Sequence, residues 1–259
     1  MTRKLVLITG ASSGIGAATA KRYGAAGGHV LLLARNAERL ERVAQEIRAS
    51  GGAASPYAVD LADAGTVAEL AARITTEAGT PDVIVNNAGA GRWLSILATT
   101  PDEARMMMDV PYLAAFYVSR AFLPAMVARG SGRITCITSP AAYLAWADAC
   151  AYIAARHAVK GFAEAMRADL RGTGISVTLV VLGTVETPYW EHNPGSREHL
   201  PPTDPRLIRT LTVEEAAEAI MEGTEAGRRI VVKPGIFRAI FAANALFPGF
   251  VARQLRRKP

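Results

Sequence analysis

Short apolar runs alternate with helix-like segments along most of this chain, and this alternation limits the possible folds more than any other feature. In chain order the runs read KLVLIT, HVLLLA, SPYAVD, DVIVNN, RITCIT, ISVTLVVL and RIVV. The earlier gaps hold alanine-rich sequence of helical period, such as AERLERVAQEIRAS and TVAELAARITTEAG. Strands that alternate with helices of this length predict right-handed βαβ units, which place helices on both faces of a parallel sheet. We therefore predict an α/β fold with one doubly wound parallel sheet of about seven strands in three α/β/α layers.

The length of the chain and its composition favour a single domain. A chain of 259 residues is a common size for one α/β domain, and no linker rich in Pro, Gly or Ser divides it. Hydrophobic residues make up 50% of the chain, which is enough for a sizeable core. We predict one domain over residues 1–259, in which 187–210 is a mobile substrate loop with five prolines and 236–259 is an apolar C-terminal extension.

The charge and the cysteine content limit which ligands, metals and cellular locations are expected for this chain. The net charge of +6 suits an anionic ligand, but the basic residues are scattered, so no nucleic-acid partner is expected. Cys136 and Cys150 form no CxxC and no metal spacing; we expect no metal site, a buried Cys136 thiol and a reduced, cytoplasmic location. The first apolar run is too short for a signal peptide, and no run reaches the roughly 18 apolar residues of a spanning helix.

A glycine motif follows the first predicted strand directly. The segment TGASSGIG places Gly10, Gly14 and Gly16 between a strand and a helix. Glycines at such a turn let the backbone approach a pyrophosphate, and the helix N-terminus offers free N–H groups and a positive dipole. The motif predicts a dinucleotide site; the alternative is a tight strand-to-helix turn without a ligand.

The end of the second predicted strand indicates whether the dinucleotide is NADP or NAD. A carboxylate there would normally hold the 2′-hydroxyl of the adenosine ribose. This chain instead reads LLLARN, with Ala34 and Arg35. A guanidinium suits a 2′-phosphate, so we predict NADP (NADPH) rather than NAD as the cofactor. The alternative is that Arg35 is only a solvated residue before the next helix.

The chain also contains VDL at 59–61, NNAG at 86–89 and Ser139 thirteen residues before Tyr152. Together with the glycine motif, these residues resemble the short-chain dehydrogenase/reductase family over nearly the whole chain. The resemblance implies a Rossmann-like fold and interconversion of a carbonyl and an alcohol on a small-molecule substrate. It also implies a structural role for Asn86, which should brace the sheet. The cofactor contacts that we predict are Gly10, Ser12, Ser13, Gly14, Ile15, Gly16, Arg35, Asn36, Asp60, Leu61, Asn87, Ala88, Gly89, Tyr152, Arg156, Val185 and Thr187.

The resemblance further implies catalytic roles for Ser139, which would orient the carbonyl, and Tyr152, which would act as general acid/base. Three positions depart from the family pattern. Pro111 stands where the family has a catalytic asparagine, Arg156 replaces the lysine four residues after the tyrosine, and Leu182-Gly183 replaces a Pro-Gly pair.

In the family, the resemblance implies that this lysine lowers the pKa of the tyrosine, holds the nicotinamide ribose and relays protons. Arg156 can perform the first two functions but not the third. Positions i and i+4 share a helix face, so Arg156 can lie beside Tyr152 with its positive charge and can reach the nicotinamide ribose. A guanidinium is a poor proton relay, however, because it does not give up its proton. We predict a catalytic Arg156 in a slowed reductase or dehydrogenase; the alternative is a nucleotide-binding protein with weak or no catalysis that acts as a sensor or scaffold.

The C-terminal stretch GIFRAIFAANALFPGFVARQLRRKP is more apolar than a surface tail. Its pattern predicts two short helices interrupted at Pro248-Gly249. In the favoured interpretation they pack over the substrate cleft or a partner subunit and form a pocket for a lipophilic substrate. In the other they make peripheral contact with an anionic membrane, with Arg256, Arg257 and Lys258 at the headgroups.

The segments PYLAAFYVSRAFLPAMVA and AYIAARHAVKGFAEAMRADL hold more alanine and aromatic side chains than one helix face needs. The family resemblance implies subunit pairing through these two helices. We therefore expect a homodimer or homotetramer; the alternative is that these faces only cover the sheet.

Overall fold

A parallel sheet of seven strands forms the centre of the computed structural model, which describes residues 3–201 and 204–255. The strand order is β3-β2-β1-β4-β5-β6-β7. Each strand overlaps one of the apolar runs, although the third begins two residues before SPYAVD, and the predicted α/β class and seven parallel strands are confirmed. The strands are β1 Leu5–Thr9, β2 His29–Ala34, β3 Ala53–Ala58, β4 Val83–Asn86, β5 Gly132–Thr138, β6 Ile175–Leu182 and β7 Ile230–Lys233.

Helices cover both faces of the sheet and complete the three layers. One core joins the sheet to α1, α2 and α8, and the other joins it to α3, α5 and α6. Alternate residues of a strand enter opposite cores, as Val6 and Leu7 of β1 do. The helices are α1 Gly14–Ala25, α2 Ala37–Ala49, α3 Ala64–Glu77, α4 Pro101–Met108, α5 Ala114–Arg129, α6 Cys150–Asp169, α7 Tyr189–His192, α8 Val213–Glu225, α9 Phe237–Leu246 and α10 Pro248–Gln254.

The direction of winding reverses between β1 and β4, which are neighbours in the sheet. Chains that leave adjacent strands toward opposite faces open a crevice at the carboxyl ends of those strands. The glycine motif and NNAG follow β1 and β4, so both open onto this crevice.

A π-helical turn, Asp109–Leu113, joins α4 to α5 and contains Pro111. Proline has no N–H to donate and clashes with the preceding turn, and the change to π-helical hydrogen bonding around Pro111 accommodates both effects. The position that the resemblance matches to a catalytic asparagine thus lies within the bulge.

The continuous helix Pro101–Arg129, with 29 residues, is long and apolar enough to cross a membrane by length and composition alone. No uninterrupted apolar run reaches that length, so no spanning helix was predicted from the sequence. Val118, Phe122 and Met126 on this helix are buried in the core beside the sheet. This is also the pattern of a core helix in a doubly wound fold.

Asn86 and Cys136 are buried side by side in the centre of the sheet. Asn86 Nδ2 donates to Ser119 Oγ on α5 at 2.9 Å and approaches Cys136 Sγ at 3.9 Å. The expectation that Asn86 braces the sheet agrees with these contacts. Burial raises the pKa of the Cys136 thiol to about 12, so this thiol stays protonated and is an inert part of the core.

Candidate active site

The turn after β1 forms a cradle at the N-terminus of α1. Gly10 and Gly14 have φ angles of +65° and +52°, which a side chain would strain. A Cβ on Gly10 would lie 3.0 Å from both the Cα of Ala88 and the Nδ2 of Asn87. The backbone therefore passes close to NNAG only because glycine is present. Of the predicted contacts in this turn, Gly10, Ser12, Ser13, Gly14 and Ile15 line one large cavity.

Gly16 lies behind this surface and does not line the cavity. A Cβ there would overlap the carbonyl oxygen of Gly10 and would lie 2.6 Å from Asn87 Nδ2. The absence of a side chain at Gly16 thus lets α1 pack directly on the turn. A cofactor contact by Gly16 itself stays a prediction.

Hydrogen bonds hold the ends of β1 and β4 together across the crevice. The main-chain N–H groups of Asn87 and Ala88 both donate to Thr9 Oγ1 at 2.9 Å. Asn87 Nδ2 donates to the carbonyl oxygen of Thr9 at 3.0 Å. Asn87, Ala88 and Gly89 are therefore fixed along one wall of the cavity.

The predicted adenosine end lies at the carboxyl ends of β2 and β3. Arg35 is exposed at the cavity surface, as is Asp60, and the neighbouring Leu61 side chain is buried. The Asn36 side chain caps α2 by accepting from the Arg39 N–H at 2.8 Å, so its side-chain oxygen already has a partner. A cation at the position of the usual ribose-binding carboxylate is thus placed to meet an anionic group.

Ser139 and Tyr152 meet at the middle of the cavity. Ser139 follows β5 directly, and Tyr152 lies in the first turn of α6. The Tyr152 hydroxyl donates to Ser139 Oγ at 3.1 Å. The same Ser139 oxygen also accepts from the Ala141 N–H at 3.2 Å. The thirteen-residue spacing therefore brings the two hydroxyl groups together, where both can reach one ligand oxygen.

Arg156 lies one helical turn beyond Tyr152 and faces the same cavity. Its Cζ atom is 4.8 Å from the centroid of the Tyr152 ring, and the residue is only 9% exposed. The nearest guanidinium nitrogen is 3.1 Å from where a Cβ on Gly89 would be. Within the described residues, the buried Nε of Arg156 has no hydrogen-bond partner. A buried donor without a partner inside a cavity indicates a position where a polar ligand binds.

Aromatic side chains surround Tyr152, and none of them was predicted from the sequence to belong to the site. Trp93, Trp146, Tyr189 and Trp190 all line the cavity. They come from three segments far apart in sequence, so spacing alone gave no signal. Burial, followed by the charge of an ionised Tyr152, raises the pKa of Tyr189, and its protonated hydroxyl donates to the Gly91 carbonyl at 2.7 Å.

The predicted substrate loop, 187–210, lies over the cavity, and residues 202–203 fall outside the described part. It contains α7 and a short 3₁₀ helix, Ser196–His199. Val185 pairs with Leu211 at its base, and Val185 and Thr187 line the cavity. Their contact with the cofactor, which the resemblance implies, stays a prediction. The predicted mobility of this loop stays a prediction.

The C-terminal stretch forms two short helices, α9 and α10, as predicted. Phe237, Ile240 and Leu255 line the cavity, and the Phe241 ring stacks on Tyr143 with centroids 4.2 Å apart. These contacts agree with the favoured packing over the cleft. The junction of α9 and α10 leaves Leu246, Phe247 and Phe250 exposed. The basic end at Arg256, Arg257 and Lys258 lies outside the described residues.

The glycine cradle, the Ser139–Tyr152 pair, Arg156 and the aromatic side chains around Tyr152 share one cavity of about 1190 Å³. It runs from Arg35 past the glycine cradle to Arg156 and Tyr152, and its lining includes apolar side chains of α9 and Leu255. A Cβ on Gly14 would lie 3.3 Å from the Thr187 side chain, so the cradle depends on glycine for its open shape. The glycine cradle, the unpartnered Nε of Arg156 and the extent of the cavity fit a dinucleotide with a substrate beyond it.

The family model described as short chain dehydrogenase matches residues 4–197. This match covers more than half of the chain, so the chain belongs to the short-chain dehydrogenase family. The expected family, inferred from the glycine motif, NNAG and the serine–tyrosine pair, is confirmed.

Two relatives and one solved structure show how similar this chain is to other proteins of the family. Dehydrogenase/reductase SDR family member 7B of Bos taurus is 36% identical over 189 residues, which cover 71% of this chain and 58% of the bovine protein. An uncharacterized oxidoreductase of Mycobacterium tuberculosis is 34% identical and covers 98% of this chain and 73% of its own length. A short-chain dehydrogenase from Sphingobium yanoikuyae, solved in complex with NADPH, superposes with a TM-score of 0.81 at 25% identity, covering 99% of this chain and 98% of that one.

Proposed function

We propose that this protein is an NADP(H)-dependent oxidoreductase that interconverts a carbonyl and an alcohol on a lipophilic small molecule. The observation that carries the proposal is the 3.1 Å hydrogen bond between Tyr152 and Ser139, beside Arg156 in the cavity that begins at the glycine cradle. The NADPH complex of the Sphingobium relative supports the cofactor. The apolar end of the cavity, with Phe237 and Ile240, supports a lipophilic substrate.

The two hydroxyl groups would act on one carbonyl oxygen. When bound, NADPH supplies a hydride to the carbonyl carbon of the substrate and leaves as NADP⁺. Ser139 holds the carbonyl oxygen by a hydrogen bond, and Tyr152 transfers its phenolic proton to that oxygen, so the carbonyl becomes an alcohol. The positive charge of Arg156 stabilises the phenolate that remains on Tyr152. The next cycle needs a new proton on Tyr152, and a guanidinium does not supply it, so turnover is slow.

The preference for NADPH over NADH is the first test of this proposal. We expect Arg35→Ala to weaken NADPH binding about tenfold or more and to leave NADH binding unchanged, because only NADPH carries the 2′-phosphate that a guanidinium can bind. Titration of both cofactors by nicotinamide fluorescence measures the two dissociation constants.

Arg42 on α2 is a suitable control for Arg35, since it does not line the main cavity. Arg42→Ala should leave both dissociation constants unchanged. Equal affinities of the native protein for NADPH and NADH, or a preference that survives Arg35→Ala, would contradict the assignment.

A nucleotide-binding sensor or scaffold is the second candidate function. Pro111 and Arg156 favour it, because both replace groups that the family resemblance assigns to catalysis. Assay of a panel of aldehydes and ketones with NADPH separates the two functions. Tight NADPH binding without turnover of any member, in the native protein and in Arg156→Lys, would favour the sensor.

We also propose that the protein pairs through α5 and α6. An aromatic patch forms from Tyr112 in the π-helical turn before α5, Phe116 of α5 and Phe162 of α6, and the Tyr112 and Phe116 centroids are each 5.8 Å from that of Phe162. Phe116 is 40% exposed, which favours a covering partner. We expect light scattering at micromolar concentration to give a dimer or tetramer, and Phe116→Asp to give a smaller species.

Ala37→Asp is the control for this prediction, because Ala37 is exposed at the start of α2, which packs on the opposite face of the sheet from α5 and α6. It should leave the mass unchanged. A monomeric native protein would show that these faces only cover the sheet. The predicted cytoplasmic location, and the alternative of membrane contact through the outer side of α9 and α10, stay predictions.

A further inference from the structure

The three tryptophans of this chain lie together around the candidate catalytic tyrosine. Trp93 follows β4, Trp146 precedes α6, and Trp190 lies in α7. The Trp93 centroid is 5.4 Å from that of Trp146, 5.7 Å from that of Trp190 and 4.8 Å from that of Tyr152. We call Trp93, Trp146 and Trp190 the tryptophan cluster; all three side chains line the cavity where it passes Ser139 and Tyr152.

The central indole of this cluster is held rigidly. The main-chain N–H of Trp93 donates to Ser196 Oγ at 3.0 Å, and its indole N–H donates to the Tyr189 hydroxyl at 3.2 Å. The Gly91 N–H donates to Asn193 Oδ1 at 3.0 Å. Ser196 and Asn193 are themselves buried. A ring fixed in this way loses little conformational entropy when a ligand stacks on it, so its contribution to binding is retained.

The charges around the cluster decide which ligand it suits. An aromatic box often binds a cation, but the Arg156 guanidinium lies 4.8 Å from the Tyr152 ring, and the Arg197 guanidinium lies 6.0 Å from the Trp190 ring. The charge of Arg156 repels a cationic ligand, and its guanidinium is already assigned to Tyr152 and the cofactor ribose. Arg197 is paired with Glu186 at 3.1 Å, so it contributes little net charge toward either a cation or an anion. The cluster therefore suits a neutral, flat ring, which aromatic faces prefer by stacking or edge contacts.

We propose that the tryptophan cluster is the subsite for an aromatic ring attached directly to the reacting carbonyl, so that this protein acts on aryl ketones or aryl aldehydes. The three tryptophans line the same cavity as Ser139 and Tyr152, so a ring bound against them would lie next to the oxygen that those two hydroxyl groups would hold. The inference rests on the proposed function for its reaction: the carbonyl carbon gains a hydride from NADPH, the oxygen gains the Tyr152 proton, and the cofactor is oxidised. Binding to the subsite can be tested without that reaction.

A matched pair of ketones tests the subsite directly. Acetophenone and cyclohexyl methyl ketone differ only in the saturation of the ring. Because all the tryptophans belong to the cluster, quenching of intrinsic fluorescence in the presence of NADP⁺ reports occupancy of this cavity, with N-acetyltryptophanamide as the control for absorption and collisional quenching. The rise in melting temperature of the cofactor-bound protein with increasing concentration of each ketone gives a second measure of affinity. We expect acetophenone to bind about tenfold tighter than its saturated partner.

Substitutions at the edge of the cluster provide the matched variants. Among the described residues, the buried indole nitrogens of Trp146 and Trp190 have no hydrogen-bond partner, so a phenylalanine there keeps an aromatic face and loses no hydrogen bond. Trp146→Phe and Trp190→Phe should keep most of the aryl preference. Trp146→Leu and Trp190→Leu should reduce it to about threefold or less, while affinity for the saturated ketone changes little.

The outcomes separate this inference from the proposed function. Tighter binding of acetophenone that the leucine variants lose and the phenylalanine variants keep would support the subsite. Equal affinity of the native protein for the two ketones would overturn it, even if a leucine variant fails to fold. Preferential binding without turnover would support the subsite and overturn the proposed reduction. Turnover of both ketones with equal affinity would overturn the subsite alone.

Discussion

Tyr152→Phe should lower kcat/KM for carbonyl reduction by about 10²- to 10⁴-fold, the range expected when a positioned general acid is removed. The structural reason is that the Tyr152 hydroxyl lies 3.1 Å from Ser139 Oγ inside the cavity, where it can reach a bound carbonyl oxygen. The ring itself stays, so its contacts with Trp93 and Arg156 persist. NADPH affinity should therefore change by less than about twofold, which fluorescence titration measures alongside steady-state rates.

Tyr117→Phe is the matched control, because it removes the same hydroxyl from α5, away from the cavity lining. It should have native kcat/KM. Ser139→Ala should lower kcat/KM less than Tyr152→Phe does, since Ser139 orients the carbonyl oxygen but transfers no proton. Full turnover by Tyr152→Phe would mean that another group supplies the proton.

Gly16→Ala should destabilise the fold by about 3 kcal/mol and abolish measurable cofactor binding. The added methyl group would overlap the carbonyl oxygen of Gly10 and crowd Asn87 Nδ2. One of these groups is main chain, and the other holds β1 to β4, so neither can move without displacing the cradle. Urea unfolding gives the free energy of unfolding, and NADPH titration of the folded fraction gives the binding constant.

Gly161→Ala is the matched substitution elsewhere, because Gly161 lies inside α6 and a Cβ there meets no atom within 4 Å. Alanine is the better helix former, so this variant should be more stable by about 0.5–1 kcal/mol. A Gly16→Ala protein with native stability and native NADPH affinity would show that α1 can shift away from the turn at little cost.

The strands were predictable because a buried parallel sheet needs continuous apolar runs, and each run in this chain became a strand. The glycine turn was predictable because its shape depends on local backbone, whereas the serine–tyrosine pair was expected only from the family resemblance. Arg156 was also correctly placed beside Tyr152, because a helix fixes the relation between positions i and i+4. The aromatic surroundings of Tyr152 were missed, since Trp93, Trp146 and Trp190 share no period and no motif.

The sequence by itself determined the parallel α/β fold, the glycine turn and the helical spacing that puts Arg156 beside Tyr152. Each of these follows from interactions within a short segment or from the hydrophobic period of one element. Only the tertiary structure decided that three distant segments bring the tryptophan cluster to Tyr152, that Gly16 packs against Asn87, and that α9 lines the cavity. Those contacts form between chain segments far apart in sequence, and packing, which no local pattern encodes, selects them.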